Sequence, residues 1–199
     1  MYTLSEFKDA VKKCDFEIVQ QYTKYDEDEY IKEYEQSILW KVNRYRYSID
    51  DRFVFHLLAK KGLSMNTVNG NGQTLLHVAA EENNEQLFED ILKYDVDIER
   101  IDNIDLTALF YAVMNRNINM IKRLLYFDVN VDVTDSYGWT PLMYLIINIS
   151  QHQLDRELDF KIIKLLLLHS QMTDEMKQNV LELCNEFNRR DIIKLLQKS

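Results

Sequence analysis

Glycine and proline are scarce in this chain of 199 residues, which contains four glycines and one proline. Folds built from tightly turned β-strands need more of both residues, because turns depend on the backbone freedom of glycine and the fixed φ of proline. Hydrophobic residues make up 46% of the chain, a fraction typical of folded rather than disordered proteins. The composition therefore predicts a folded, mostly helical protein.

Cysteine is also rare, since Cys14 and Cys184 are the only two. Their wide separation argues against a disulfide framework or a zinc site and fits a reducing compartment. The first residues do not combine a basic segment with an apolar core, so we expect no signal peptide. The longest wholly apolar runs are short, as at Ala108–Met114, whereas a membrane span needs about 20 such residues. We therefore expect a cytoplasmic protein that does not bind a membrane.

The common signatures of catalysis and cofactor binding are missing. The sequence has no GxGxxG, no GxxxxGK[ST] and no HExxH, and four glycines can hardly form a phosphate cradle. His152 and His169 flank the extra segment described below, but no cluster of carboxylates at metal-binding spacing accompanies them. Cys14 has neighbouring lysines but no evident base, which makes a helix-turn cysteine a better interpretation than a nucleophile. We expect no catalytic residue, cofactor or metal, and hence no enzyme.

The net charge of −9, from 24 basic and 33 acidic residues, bears on the kind of partner. Nucleic acids require a basic surface to neutralise their phosphates, so a nucleic-acid partner is not expected. A basic protein partner is compatible with this charge.

Three similar segments begin at threonines that lie 33 residues apart. They are TLLHVAA from Thr74, TALFYAV from Thr107 and TPLMYLI from Thr140. A turn rich in Asn, Asp and Gly precedes each threonine, and apolar residues at helical spacing follow it. A period of this length is typical of repeats that each form one helix pair and stack on their neighbours.

The period and the phrase beginning at Thr74, which is one residue away from T-P-L-H-x-A, resemble the ankyrin repeat. This resemblance implies an all-α solenoid of about six stacked helix pairs with short turn-tip β-hairpins. Each threonine is expected to cap a first helix through its hydroxyl. The resemblance also implies that His77 makes a structural hydrogen bond within the turn.

We predict a single ankyrin-repeat domain over residues 1–199. Clear repeats are predicted at 69–101, 102–134 and 135–172, degenerate repeats at 1–33 and 34–68, and a polar C-terminal cap at 173–199. The last clear repeat carries about nine extra residues near 149–159. Asn83 and Arg116 replace the glycine usual between the two helices, a position of left-handed backbone that Asn tolerates better than Arg.

The resemblance places partners on the concave face made of turn tips and first helices. The candidate tip residues are Asn103, Ile104, Leu106, Ser136, Tyr137 and Trp139, and the first-helix candidates are Glu81, Glu82, Met114, Asn115, Ile147 and Asn148. Apolar side chains on exposed tips suggest anchors for a partner, because Tyr and Trp are enriched at binding hot spots. Alternatively, Trp139 folds back to shield its own stack.

A second candidate is the acidic stretch Tyr25–Glu35. Its candidate residues are Tyr25, Asp26, Glu27, Asp28, Glu29 and Tyr30. One interpretation is a solvated loop, and the other is an acidic finger that attracts a basic partner.

The sequence as a whole predicts a stand-alone protein-interaction module, monomeric when free, that binds one partner and inhibits, sequesters or adapts it. An immunity or antitoxin-type inhibitor of a basic toxin and a host-directed viral or bacterial ankyrin protein are both compatible. An enzyme on a helical scaffold is the remaining alternative, and a deep pocket with converging titratable groups would favour it.

The acidic finger can be tested by changing Asp26–Glu29 to the corresponding amides. If these carboxylates attract a basic partner, the association rate at low ionic strength should fall, and the difference from the wild type should shrink at high salt. Stopped-flow measurements at two salt concentrations decide this. Wild-type rates at both concentrations would remove the finger from the binding surface.

Overall fold

The computed structural model describes residues 64–151 and 156–197, together with Glu6, Ala10, Arg52, Phe55, His56 and Ala59. The described part contains eight helices. They are α1 (Leu75–Glu81), α2 (Glu85–Ile91), α3 (Ala108–Met114), α4 (Ile118–Leu125), α5 (Pro141–Gln151), α6 (Arg156–His169), α7 (Asp174–Glu186) and α8 (Arg190–Leu196). This all-α architecture confirms the predicted fold class. The β-hairpin form of the tips stays a prediction. The total of six helix pairs does so too, because most of the two degenerate repeats lies outside the described residues.

The helices form two layers. In one layer α1 packs on α3, α3 on α5 and α5 on α7, and in the other α2 packs on α4 and α4 on α6. The core lies between these layers and is filled by apolar side chains such as Phe88, Phe110 and Ile121, all fully buried. Ala79 and Ala112, also fully buried, have side chains small enough for first helices to approach closely.

In three of the helix pairs, a residue in the left-handed region joins the two helices. Asn83 has a φ of 55°, Arg116 of 56° and Asn188 of 53°. The next N–H then donates to a carbonyl five residues earlier, from Asn84 to Ala79 (2.8 Å), Asn117 to Ala112 (2.9 Å) and Arg189 to Cys184 (2.7 Å). This is the Schellman closure, and it satisfies a carbonyl at the end of the first helix. The C-terminal cap thus uses the same junction as the clear repeats.

The extra residues of the last clear repeat lengthen its helices, because α5 has 11 residues and α6 has 14, against 7 in α3 and 8 in α4. Asp159, in the first turn of α6, is buried and pairs with Arg116, whose Nε lies 2.6 Å from a carboxylate oxygen. This ion pair explains why an arginine stands where glycine is usual. The extra segment is therefore partly core.

The three threonines begin first helices in different ways. Thr140 caps α5 as expected, since its Oγ1 accepts the N–H of Met143 (3.3 Å). Thr74 forms a capping box with His77: its N–H donates to Nδ1 (3.1 Å), and its hydroxyl lies 2.8 Å from the same nitrogen. Thr107 has Phe110 in place of that histidine, and its buried hydroxyl has no hydrogen-bond partner in the part of the chain described. The expected hydroxyl cap is therefore wrong for Thr107.

His77 ties its repeat to the next one. Because Nδ1 accepts the Thr74 N–H, the ring proton resides on Nε2, which donates to the carbonyl of Leu106 (3.1 Å). Burial lowers the pKa of His77, which keeps the ring neutral and suited to accepting and donating at once. The predicted structural role of His77 is confirmed.

Replacing Thr107 by valine should leave the free energy of unfolding unchanged or raise it by up to about 1 kcal/mol, because the change removes a buried hydroxyl that gains no hydrogen bond. Thr74→Val is the matched control and should cost about 1–2 kcal/mol, since it removes a hydroxyl that contacts His77. Urea denaturation of both variants provides the measurement. Equal losses would contradict the assignment.

Candidate protein-binding surface

Three tips of five residues precede the first helices and are closed in the same way. The first N–H of each tip donates to the fifth carbonyl, from Asn69 to Gln73 (2.9 Å), Asp102 to Leu106 (3.0 Å) and Asp135 to Trp139 (3.0 Å). In each tip the Oδ1 of the first side chain also accepts the N–H groups of the third and fifth residues, at 2.8–3.0 Å. Such side-chain bonds hold a turn rigid without help from a sheet.

Tyrosines from the first helices lock two of these tips. The hydroxyl of Tyr111 donates to Asp102 (2.6 Å), and that of Tyr144 donates to Asp135 (2.7 Å). Burial and the bond to the carboxylate raise the pKa of Tyr144 to about 12, and burial likewise raises that of Tyr111. Both phenols therefore remain protonated donors at neutral pH.

Neighbouring tips are also bonded to each other. Asn103 donates its backbone N–H to the carbonyl of Asn71 (3.0 Å) and its side-chain amide to that of Gly70 (3.1 Å). Ser136 donates to the carboxylate of Asp105 (3.0 Å) on the preceding tip. Gly72 has a φ of 76°, and any Cβ there would clash with Asn103, so this close approach requires glycine. The tips form one rigid row.

Three of the predicted tip anchors are exposed on this row: Ile104 at 53%, Tyr137 at 82% and Trp139 at 41%. Ile104 and Tyr137 occupy the same place on successive tips, 33 residues apart. Two further apolar residues directly precede tips and are exposed, Val68 and Ile101. Sequence reasoning missed this second pair, although both residues are apolar and also lie 33 residues apart.

The expectation that Leu106 is an exposed anchor is wrong, because only 4% of it is accessible. It is the last residue of its tip, a position that faces the following repeat. The equivalent residue Gln73 is also buried and donates to the hydroxyl of Tyr111 in the next repeat (3.0 Å).

Trp139 occupies the same position but lacks this cover, because the chain after α6 runs into α7 at Asp174 without a further five-residue tip. Its ring packs edge-to-face on Tyr144, with the centroids 5.6 Å apart. The side chain thus contacts its own stack and still presents much of its surface to solvent.

The first-helix candidates differ in their surroundings. Asn115 donates to the carbonyls of Ala80 and Glu81 (both 2.8 Å), so it joins α3 to the end of α1. The carboxylate of Glu81 accepts a bond from Gln73 (2.8 Å). Glu82 is exposed, and Met114, Ile147 and Asn148 are partly buried.

The second candidate surface, the acidic stretch, lies outside the described residues. Its candidate residues are Tyr25, Asp26, Glu27, Asp28, Glu29 and Tyr30.

A cluster of cationic side chains surrounds Asp90. Its fully buried carboxylate contacts Arg52 (2.7 Å) and Lys93 (2.5 Å). Burial alone would raise the pKa of Asp90, but the hydrogen bonds from the two cations outweigh it and hold the pKa below its usual value. The arrangement fits an ion pair that joins α2 to the preceding helical residues. No group of three or more potential metal ligands gathers within the same described residues.

The stacked helix pairs and their bonded tips define a helical-repeat solenoid. Residues 45–135 and 87–156 each match the family model described as ankyrin repeats in three copies, and together they span more than half of the chain. The chain belongs to the ankyrin-repeat family, whose members are generally protein–protein interaction modules. No curated protein sequence gives a significant match. Across the described residues, no helix is both long and apolar enough to cross a membrane.

The tyrosine locks predict a decline of stability at high pH. The folded state raises the pKa of Tyr144 from 10.0 to about 12, so its stabilising effect is complete below pH 10 and is lost as the pH rises toward 12. Tyr144→Phe should reduce this dependence and cost about 1 kcal/mol at pH 7, because Asp135 loses a donor. The exposed Tyr126→Phe serves as the control. Chemical denaturation from pH 8 to 11 tests the prediction, and identical slopes in all three proteins would contradict it.

Proposed function

We propose that this protein binds a protein partner through its tip row, with Ile104, Tyr137 and Trp139 as the anchors. The observation that carries this proposal is the exposure of three large apolar side chains on adjacent, rigid tips. Two of the three are aromatic, the class most enriched at binding hot spots. Trp139 adds its exposed surface at the point where the row of tips ends.

The rigidity of the row favours tight binding. Each tip is held by backbone and side-chain hydrogen bonds before any partner arrives, so little conformational entropy remains to be lost on association. The aromatic side chains themselves have few rotatable bonds and bury large areas at low entropic cost.

The charges near the row favour a basic partner. Glu81, Glu82 and Asp105 contribute carboxylates from the end of α1 and from the second tip, whereas Arg100 contributes an exposed cation. A partner segment with an apolar anchor flanked by Lys or Arg would complement this surface. The acidic stretch Tyr25–Glu35 would add to the attraction.

The protein would then act by binding alone, and it would inhibit, sequester or adapt the partner. The titratable groups of the tip row support this interpretation over catalysis. Asp102 and Asp135 are buried and committed to turn closure, and their tyrosine partners are held as protonated donors. These groups therefore serve to close the tips, and their mutual hydrogen bonds leave them poorly suited to act as the acid or base that the enzyme alternative requires.

The proposal is tested by capturing the partner from the native host, identifying it by mass spectrometry and measuring its affinity for single variants. Tyr137→Ala should weaken binding by about 2 kcal/mol without lowering stability, because the exposed ring contributes little to the fold. Trp139→Ala should weaken binding similarly and also cost roughly 1 kcal/mol of stability, because it removes the contact with Tyr144.

The control is Lys194→Ala, a truncation of an exposed side chain on α8, a helix that packs on α7 and lies apart from the tips in the sequence. It should leave the affinity for this partner unchanged. Wild-type affinity in both the Tyr137 and the Trp139 variants would refute the tip row as the binding surface.

A further inference from the structure

A second exposed apolar surface lies on the layer of second helices. Tyr126 at the end of α4 is 74% exposed, and Leu168 near the end of α6 is 79% exposed. The exposed residues Lys122 and Lys164 precede them by four positions. Both pairs are 42 residues apart in sequence and occupy equivalent places on helices that pack side by side. We call these four residues the lysine–apolar ridge.

The spacing within the ridge follows from helix geometry. Positions i and i+4 lie about one turn apart on the same helix face, roughly 6 Å along the axis. Packed helices are separated by roughly 8–10 Å. The ridge is therefore a compact rectangle, with the two lysines along one side and the two apolar side chains along the other.

One corner of the ridge is held in place before any ligand binds. The guanidinium carbon of Arg123 lies 5.3 Å from the ring centroid of Tyr126 and 5.0 Å from that of Phe127. The two rings pack edge-to-face at 5.5 Å. Arg123 also donates to Glu89 (3.1 Å), which fixes it on the neighbouring helix. Tyr126 is thus positioned in an exposed orientation by cation–π and ring contacts.

The charges of the ridge are not neutralised within the described residues. Arg123 pairs with Glu89 and Lys161 pairs with Glu157, yet neither Lys122 nor Lys164 has an ion-pair partner there. In a chain with a net charge of −9, two such lysines beside exposed apolar side chains form a locally basic, apolar surface. Its complement is acidic and apolar.

We propose that the lysine–apolar ridge binds an acidic amphipathic segment of a partner protein, separately from the tip row. The fitting segment presents two carboxylates about 10 Å apart, as on a helix at positions i and i+7, beside a parallel pair of apolar side chains. A compact segment is favoured over an anionic membrane because exposed carboxylates follow or belong to the same two helices: Asp128 lies three residues after α4, and Glu157 lies on α6. A flat membrane would meet these carboxylates as well as the lysines, whereas a narrow helix need not.

The probe is a fluorescent synthetic helical peptide of about 15 residues, with Glu at i and i+7 and Leu beside them at i+1 and i+8. Binding to the full chain is measured by anisotropy at low and high salt. Lys122→Glu/Lys164→Glu and Tyr126→Ala/Leu168→Ala should each weaken binding about tenfold or more. The charge-reversed control Lys177→Glu/Lys194→Glu, on exposed sites of α7 and α8, should bind as the wild type does.

The outcomes separate the possibilities. Binding that weakens in both ridge variants, but not in the control, and that falls with salt supports the proposal. Absence of peptide binding, or equal binding by all variants, overturns it. Ridge-dependent binding to phosphatidylserine-containing vesicles without peptide binding overturns it in favour of a lipid surface. Tyr137→Ala leaves the ridge intact, so it should not change peptide binding. If one of the two proposed binding surfaces is refuted, the other can still be tested.

Discussion

Every feature of this fold depends on the inability of one helix pair to bury its own apolar surface. The pairs are short, and residues such as Leu87, Phe88 and Ile91 are fully buried only because neighbouring pairs cover the faces that carry them. Stacking therefore supplies the core, and each repeat is stable to the extent that its neighbours are in place. This constraint makes the contacts between repeats more important than those within them.

Those contacts are supplemented by polar bonds that set the stacking register. His77 reaches the carbonyl of Leu106, Asn115 reaches the end of α1, and Gln73 reaches Tyr111. Each bond joins a side chain in one repeat to a group in the adjacent one and is at least partly buried. Because an unsatisfied buried polar group is costly, a shift of one repeat against the next would break several of these bonds together.

The periodic features of the fold could be predicted from the sequence. Features that depend on contacts with another repeat or with the extra segment could not. Threonines 33 residues apart were sufficient to place the first helices and the tips. Leu106 was misjudged because a tip residue is buried or exposed according to whether another tip follows it. Arg116 was unexplained because its partner Asp159 comes from an extra segment 43 residues away in sequence. The exposure of Tyr126 and Leu168 could not be inferred, since a period identifies equivalent positions without telling which are covered.

The interruptions of the repeat are also where surface becomes available for binding. A regular tip row would continue past Trp139 and bury it, as Gln73 and Leu106 are buried in their tips. The row ends instead, and a large aromatic side chain stands at its edge. On the other layer, Lys122 and Tyr126 recur as Lys164 and Leu168, while the preceding repeat has Glu89 and Lys93 at these positions. Among these three repeats, the ridge is therefore confined to two helices. The repeats can differ at such solvent-facing positions because substitutions there do not disturb the stacking that specifies the fold.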